Sequence, residues 1–215
     1  MALSDDVESH VSDKDLIARR RRQIVNAAVK LFSKQGYAGT TVQQISKQAG
    51  VSTGLVYQYF GDKDDILFLA LKQVLDTYEH DIPPQYADLD HPLERLFAAL
   101  RAYCTVVHTL RDATVLAYRA TKSLPLNRRI YIENAEIRTN RIFRDLLDEC
   151  VAQGLMKAPD LELLTYQFVL FSHAWALKQW AFSGKYDLDS YVEAGGKLLI
   201  EPFLTGNGRA YWNTL

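Results

Sequence analysis

Apolar residues recur at three-, four- and seven-residue spacing along most of the chain, and no run alternates strictly between apolar and polar. The pattern therefore predicts helices and no half-buried strand. A first helix begins near Ser12 to Asp15, where Ser12 with Asp15 three residues on approximates a capping box. It carries Ile17, Ile24, Ala28, Leu31 and Phe32 on one stripe and stops at Gly36. A second, short helix starts at Thr41, passes Ile45 and Ala49, and closes at Gly50; a third follows the N-cap Ser52 and ends before Gly61. Asp62 or Asp64 caps a fourth, with Ile66, Leu67, Ala70, Leu71, Val74 and Leu75 on one side, and Pro83 and Pro84 end that region. The fifth starts at Pro92 with Leu93, Leu96, Phe97, Leu100, Cys104 and Val107 as its stripe, and the sixth covers about Asp112 to Lys122. The seventh runs from about Leu126 to Gln153 and stops at Gly154, the eighth spans about Leu161 to Ser183, and the ninth about Asp187 to Leu204. Gly206, Asn207 and Gly208 lead into an expected frayed tail.

The chain is thus expected to be all-α with about nine helices. Its 215 residues are 48% hydrophobic and 24% charged, an ordinary globular composition. A chain this long buries roughly 70% of its unfolded surface, so no metal or disulfide frame is needed. Cys104 and Cys150 both sit in apolar helical patterns, which fits a reducing cytoplasm better than secretion. Residues 1 to 15 carry five acids and no apolar core, unlike a secretory signal. The longest uncharged apolar stretch, Leu163 to Leu177, falls short of the roughly 20 residues that a bilayer demands. The expectation is a soluble, cytoplasmic protein without a membrane partner.

The formal net charge of -1 hides a sharp division. Residues 1–15 sum to -4, residues 16–63 to +7, and residues 64–215 to -4. The basic block has the footprint of a surface that faces phosphates, while the acidic remainder would be repelled by them; a solvated basic helix without a partner is the alternative. The predicted organisation is an acidic, flexible N-terminus at 1–15, a helix-turn-helix DNA-binding domain at 16–63, a larger helical domain at 64–205, and a tail at 206–215.

Residues 36–67 read GYAGTTVQQISKQAGVSTGLVYQYFGDKDDIL. Two short helices joined by a turn at Gly50 and Val51, behind a longer helix, make a three-helix helix-turn-helix whose last helix enters the major groove. Ile45, Ala49, Val51 and Val56 can form its small core, leaving Gln43, Thr53, Gly54, Tyr57 and Tyr59 to face outward. The segment resembles the TetR family of bacterial transcriptional regulators: GYAGTTVQQIS is similar to its second-helix start, and AGVSTGLVYQYFGDKDDIL to its turn, recognition helix and entry to helix four. The resemblance covers about residues 17–70.

The resemblance implies roles residue by residue. Thr41 should hydrogen-bond a phosphate, helped by the amides of its helix start. Gln43 can reach base edges, pairing bidentately with adenine. Thr53 contacts a base or a thymine methyl, and Gly54 lets the backbone approach. Tyr57 and Tyr59 lie against sugar and phosphate, and Lys63, with Lys47 as a weaker candidate, neutralises phosphates. Arg19 to Arg22 cannot share one helix face, so one or two of them, Arg20 included, point to DNA or form an arm for the minor groove; solubility alone is the alternative. Tyr37 reads as packing.

The resemblance further implies that helices four to seven of the C-terminal part enclose a small-molecule pocket and that helices eight and nine pair with a second copy. Helix eight is apolar nearly all round, as a helix buried on both sides must be. Tyr103, His108, Tyr118, Arg119, Asn134, Arg138, Phe171 and Trp175, with Tyr131 and Phe143, offer aromatic walls beside polar groups. Arg119 to Arg144 is rich in cations that could receive an anionic effector such as an acyl-coenzyme A, or else pair with Glu133, Glu136 and Asp145 on a solvated face. Cys104 and His108 share a helix face, but no third ligand stands near in sequence, so no metal or other cofactor is expected, and no nucleophile elbow or phosphate loop suggests an enzyme. The expected function is a homodimeric repressor that binds an inverted-repeat operator and is released by a small-molecule effector. The alternatives are an effector-independent architectural DNA binder, an activator, or an enzyme with a vestigial head.

Overall fold

The structure, a computed structural model, describes Val7 and residues 13–157 and 160–215. Among these residues there are eleven α-helices and no strand. The expected Ser12 cap lies outside the described residues, as does most of the acidic N-terminal segment. Asp13 caps instead, its carboxylate accepting from Leu16 N at 3.0 Å.

Two compact units form. The first comprises Met1–Val74 and Asp112–Asn134, the second Leu75–Arg111 and Ala135–Leu215. The cut that the sequence places after residue 63 thus falls inside the first unit. In the first unit, α1 (Lys14–Gln35) packs on α2 (Val42–Ala49) and α3 (Thr53–Tyr59). Its inward stripe, Arg21, Ile24, Val25, Ala28 and Phe32, meets Ile45, Val56, Tyr59 and Phe60, all buried. Thr41 and Gln44 cap α2 reciprocally, with Gln44 N to Thr41 Oγ1 at 3.2 Å and Thr41 N to Gln44 Oε1 at 2.9 Å. Gly50 ends α2 at φ +68°, a left-handed conformation that a side chain would strain, and so turns the chain into α3.

Helix α4 (Lys63–Asp81) opens on Asp62, whose Oδ1 accepts from Asp65 N at 2.8 Å. It runs from the first unit into the second, and α7 (Leu126–Ala152) does the same, crossing after Asn134. Between them lie α5 (Pro92–Thr109) and α6 (Arg111–Ala120). In the first unit, Arg128 near the start of α7 pairs with Asp65 and covers the Phe68 ring at 5.4 Å.

In the second unit, α5 packs against α8 (Leu161–Leu177) and α10 (Leu188–Leu199). The expected eighth helix is interrupted at Lys178, which leaves helical geometry (φ -119°, ψ 22°), and continues as the short α9 (Gln179–Phe182). The expected ninth helix ends at Leu199, before a 3-10 turn through Pro202, which has no N–H to donate back.

The C-terminus is no frayed tail: α11 spans Gly206–Trp212. Thr205 caps it, Tyr211 stacks on His91 at 3.3 Å between centroids, and Trp212 lies edge-on to Phe97 at 5.3 Å. Two aromatics with partners hold a glycine-rich start that local propensity alone would leave loose. No helix among the described residues is long and apolar enough to cross a membrane.

Candidate functional site

The outward side of the three-helix head is built by helical phase. In α2, Val42, Ile45 and Ser46 point inward, while Thr41, Gln43, Gln44, Lys47 and Gln48 are exposed. In α3, Val56 and Tyr59 point inward, and Gly54, Tyr57 and Gln58 are exposed, with Thr53 half-buried at the helix start. One polar surface therefore joins Thr41, Gln43, Lys47, Thr53, Gly54 and Tyr57. The Thr41 oxygen is occupied as a cap acceptor, and its hydroxyl proton remains available for an anion. A Cβ built on Gly54 meets nothing within 4 Å, so this turn of α3 presents bare backbone.

Tyr59 does not belong to that surface. It is 2% exposed, against 46% for Tyr57, because it follows Val56 by three residues and precedes the buried Phe60 by one. The expectation that Tyr59 faces sugar and phosphate is corrected: it is a core residue of the head. The arginine run divides in the same way. Arg21, 2% exposed, is in phase with Ile17 and Ile24; its Nε donates to Tyr59 O at 3.2 Å, another guanidinium nitrogen donates to Val7 O, and the group lies 5.8 Å from the Phe60 ring. Arg19 and Arg22 are exposed, and Arg20, half-buried, donates to Gln23 Oε1 at 2.9 Å.

Lys63 reaches back to the loop before α2. Its Nζ donates to Tyr37 O at 3.0 Å and Thr40 O at 2.9 Å, 4.3 Å from the Tyr37 ring centre. Tyr37 packs at a tilt on the Phe32 ring, 5.2 Å between centroids, and donates its hydroxyl to Asp64; burial and that carboxylate push its pKa up. Tyr37 thus packs, as the sequence suggests, and Lys63 ties the start of α4 to the head.

The effector candidates are split between the units. Tyr118, Arg119 and Asn134 belong to the first and are exposed; Tyr103, His108, Arg138, Phe171 and Trp175 belong to the second. Within the second unit, Tyr103 is fully buried, stacked on Tyr78 at 4.3 Å and on Phe143 at 5.1 Å. The hydroxyls of Tyr78 and Tyr103 lie 3.3 and 3.4 Å from His173 Nε2. Burial lowers the His173 pKa to about 4, so this aromatic interior carries an uncharged imidazole at neutral pH. Trp175 Nε1 donates to His108 Nδ1 at 3.0 Å, and Phe171 stacks on Tyr191 at 4.3 Å.

The arginines between 119 and 144 do not converge. Arg128 pairs with Asp65, Arg129 with Glu133 at 3.6 Å, Arg138 with Glu79 at 3.3 Å, and Arg144 with Asp148 and Glu162 at 2.8 and 3.2 Å. A separate cavity of about 590 Å³ lies between Thr77, Asp81 and Gln85 on one side and the Ala98, Arg101 and Thr105 face of α5 on the other. None of the sequence candidates lines it. Cys104 is fully buried, its thiol pushed up to about 12 by burial, while His108 is exposed, so the two make no metal pair.

One residue escaped sequence reasoning. Asn140 of α7 is 5% exposed, and neither its amide nitrogen nor its amide oxygen has a partner among the described residues. Leaving buried amide atoms unpaired costs about 1–3 kcal/mol each, which singles out Asn140 as a candidate position for a polar contact. The available signal was its phase, three residues before Phe143 and seven before Leu147 on the inward stripe.

A model of the bacterial regulatory proteins, tetR family, matches residues 24–70, and one of the tetracyclin repressor-like C-terminal domain matches residues 89–183. The HTH-type transcriptional regulator HbdR of Aromatoleum sp. (strain CIB) is 56% identical over 209 residues, covering 97% of this chain and 91% of that protein. Among solved structures, the ketosteroid transcriptional regulator KstR2 of Mycobacterium tuberculosis superposes with a TM-score of 0.74 at 19% identity, over 86% of this chain and 95% of that one. AibR in complex with isovaleryl coenzyme A and operator DNA superposes with a TM-score of 0.75 at 21% identity, over 86% and 100%.

Proposed function

The chain belongs to the TetR family of transcriptional regulators, which are not enzymes, and on that premise we propose that it is a repressor that binds an inverted-repeat operator as a homodimer and leaves it when a small molecule binds. The observation that carries the reading is the polar face of α2 and α3, where Gln43, Thr53, bare-backboned Gly54 and Tyr57 stand together over a separately packed core. Gln43 and Thr53 read base edges. Thr41, Lys47 and Tyr57 hold sugar and phosphate, with Arg20 a further contact from α1, and Lys63 neutralises the approach while holding the loop before α2.

Two copies place their α3 helices in successive major grooves, about 34–36 Å apart. The pairing face is α8 with α10. Leu163, Tyr166 and Leu170, at i, i+3 and i+7 of α8, are exposed in the isolated chain, as is Leu198 of α10, and such a stripe needs cover.

The effector, an acyl-coenzyme A or another lipid-like or aromatic compound, occupies the second unit with its apolar body against the Tyr103, Phe143 and Trp175 aromatics and a polar group on Asn140. The AibR complex supports this as a case of the same fold holding both a coenzyme A thioester and operator DNA. Since α4 and α7 run through both units, effector preference for one arrangement of these helices weakens operator binding, and operator weakens effector binding by the same factor.

Gly54→Ala tests the reading surface without endangering the fold. Alanine in a helix is favoured over glycine by about 0.5–1 kcal/mol, and its Cβ enters open space, so the variant should fold at least as well as wild type. Its methyl would stand between α3 and the base edges and should lower operator affinity about tenfold or more in a fluorescence-anisotropy titration. Lys47→Ala should instead lower affinity for all duplexes alike and reduce the salt slope by about 0.9. If Gly54→Ala binds operator as wild type does, α3 does not approach DNA through this face. Binding of random duplex equal to that of any inverted repeat would favour the architectural alternative.

A further inference from the structure

The reading face contains a hydrogen-bond chain whose direction is set from inside the head. Ser46 lies on the buried side of α2 at 4% exposure, and its hydroxyl donates to the Gln43 carbonyl at 2.9 Å. The same oxygen is 2.9 Å from Thr53 Oγ1. A serine hydroxyl has one proton and two lone pairs. With the proton on the Gln43 carbonyl, only lone pairs face Thr53, and both contacts are satisfied together when Thr53 donates its own proton inward. Thr53 then keeps acceptor lone pairs and its γ-methyl for whatever lies in front of α3.

From this polarity we propose that Ser46 is a positioning residue that makes Thr53 a hydrogen-bond acceptor, so that each operator half-site carries an amino-bearing base, adenine or cytosine, opposite Thr53. The proposal rests on the reading of α3 as the recognition helix. In the major groove adenine N6 and cytosine N4 donate, whereas guanine O6 and N7 and thymine O4 accept. An inward-bonded hydroxyl meets the first pair attractively and the second with lone pair against lone pair. Gln43, whose carbonyl receives the Ser46 proton, remains free at its side-chain amide to read a neighbouring base, so the two readers are linked through one buried serine.

The experiment is a selection from a randomised inverted-repeat duplex library by the full-length wild-type chain, Ser46→Ala and Thr53→Val, followed by sequencing of the bound pools. Wild type should enrich adenine or cytosine about tenfold over guanine and thymine at one position of each half-site. Ser46→Ala removes the inward acceptor and frees the Thr53 proton, so that position should accept all four bases while the remaining positions keep their preferences. Alanine suits a helix, so the head still folds. Thr53→Val keeps the shape and the methyl but has no oxygen, and should lose preference at the same position. A merely structural role for Ser46 would weaken every position equally. Enrichment of guanine or thymine by wild type at the position that Thr53→Val alters, or an unchanged profile for Ser46→Ala, would overturn the assignment of polarity. A wild-type pool with no enrichment at any position would instead remove the recognition-helix reading beneath it.

Discussion

Tyr59→Ala is expected to unfold the DNA-binding head rather than weaken its grip on DNA. Removing a buried aromatic side chain costs about 3–5 kcal/mol, from lost burial and the cavity left behind. The ring is 2% exposed and sits beside the buried Val56 and Phe60, so its removal leaves a cavity in the centre of the head. A small three-helix head has little stability to spare. Amide exchange across α1 to α3 should therefore rise steeply in Tyr59→Ala, while Tyr57→Ala, which removes a ring 46% exposed, should leave exchange unchanged within about 0.5 kcal/mol and reduce operator affinity alone. If Tyr59→Ala kept wild-type protection and lost only DNA binding, the ring would belong to the reading face and its burial would have no part in stability.

Acidification should selectively loosen the second unit through His173. Burial holds its folded pKa at about 4, below the roughly 6.5 of an unfolded histidine. Above pH 6.5 both states are neutral and nothing is lost. Between pH 6.5 and 4 the unfolded chain takes up a proton that the folded chain refuses, so stability falls as pH falls, by about 2 kcal/mol at pH 5 and about 3 kcal/mol at pH 4. The structural cause is burial of the ring among Tyr78, Tyr103 and α8, where the two phenols meet Nε2 and water is excluded from a positive charge. Denaturant titrations of wild type and His173→Gln at fixed protein concentration should show the wild type losing stability faster between pH 6.5 and 4.5. Parallel curves would mean that the imidazole gains a proton in the folded state without penalty.

These two residues also show where sequence reasoning reached its limit. The all-α class, the helix-turn-helix and its outward Gln43, Thr53, Gly54 and Tyr57 were legible, because helical periodicity, N-caps and left-handed glycines are local properties of the chain. Gly36, Gly50 and Gly154 all take positive φ at the ends where the pattern places helix stops. Tyr59 reads as outward by residue type, whereas its spacing of three from Val56 puts it on the inward side of α3. The same phase argument, applied to Ile17, Arg21 and Ile24, would have picked out the one arginine of four that turns inward.

The order of residues along the chain carries the sign and position of charge, the helical character and the short segment that resembles a DNA-reading head. Which polar groups lose their water depends on how the helices assemble. That assembly buries Arg21 against two backbone carbonyls, leaves the Asn140 amide unpaired, pairs Arg128, Arg129, Arg138 and Arg144 with carboxylates, and orders α11 through Tyr211 and Trp212. The physical reason is that helix formation depends on neighbours three and four residues away, whereas desolvation and pairing depend on groups tens of residues distant, whose meeting no local pattern encodes.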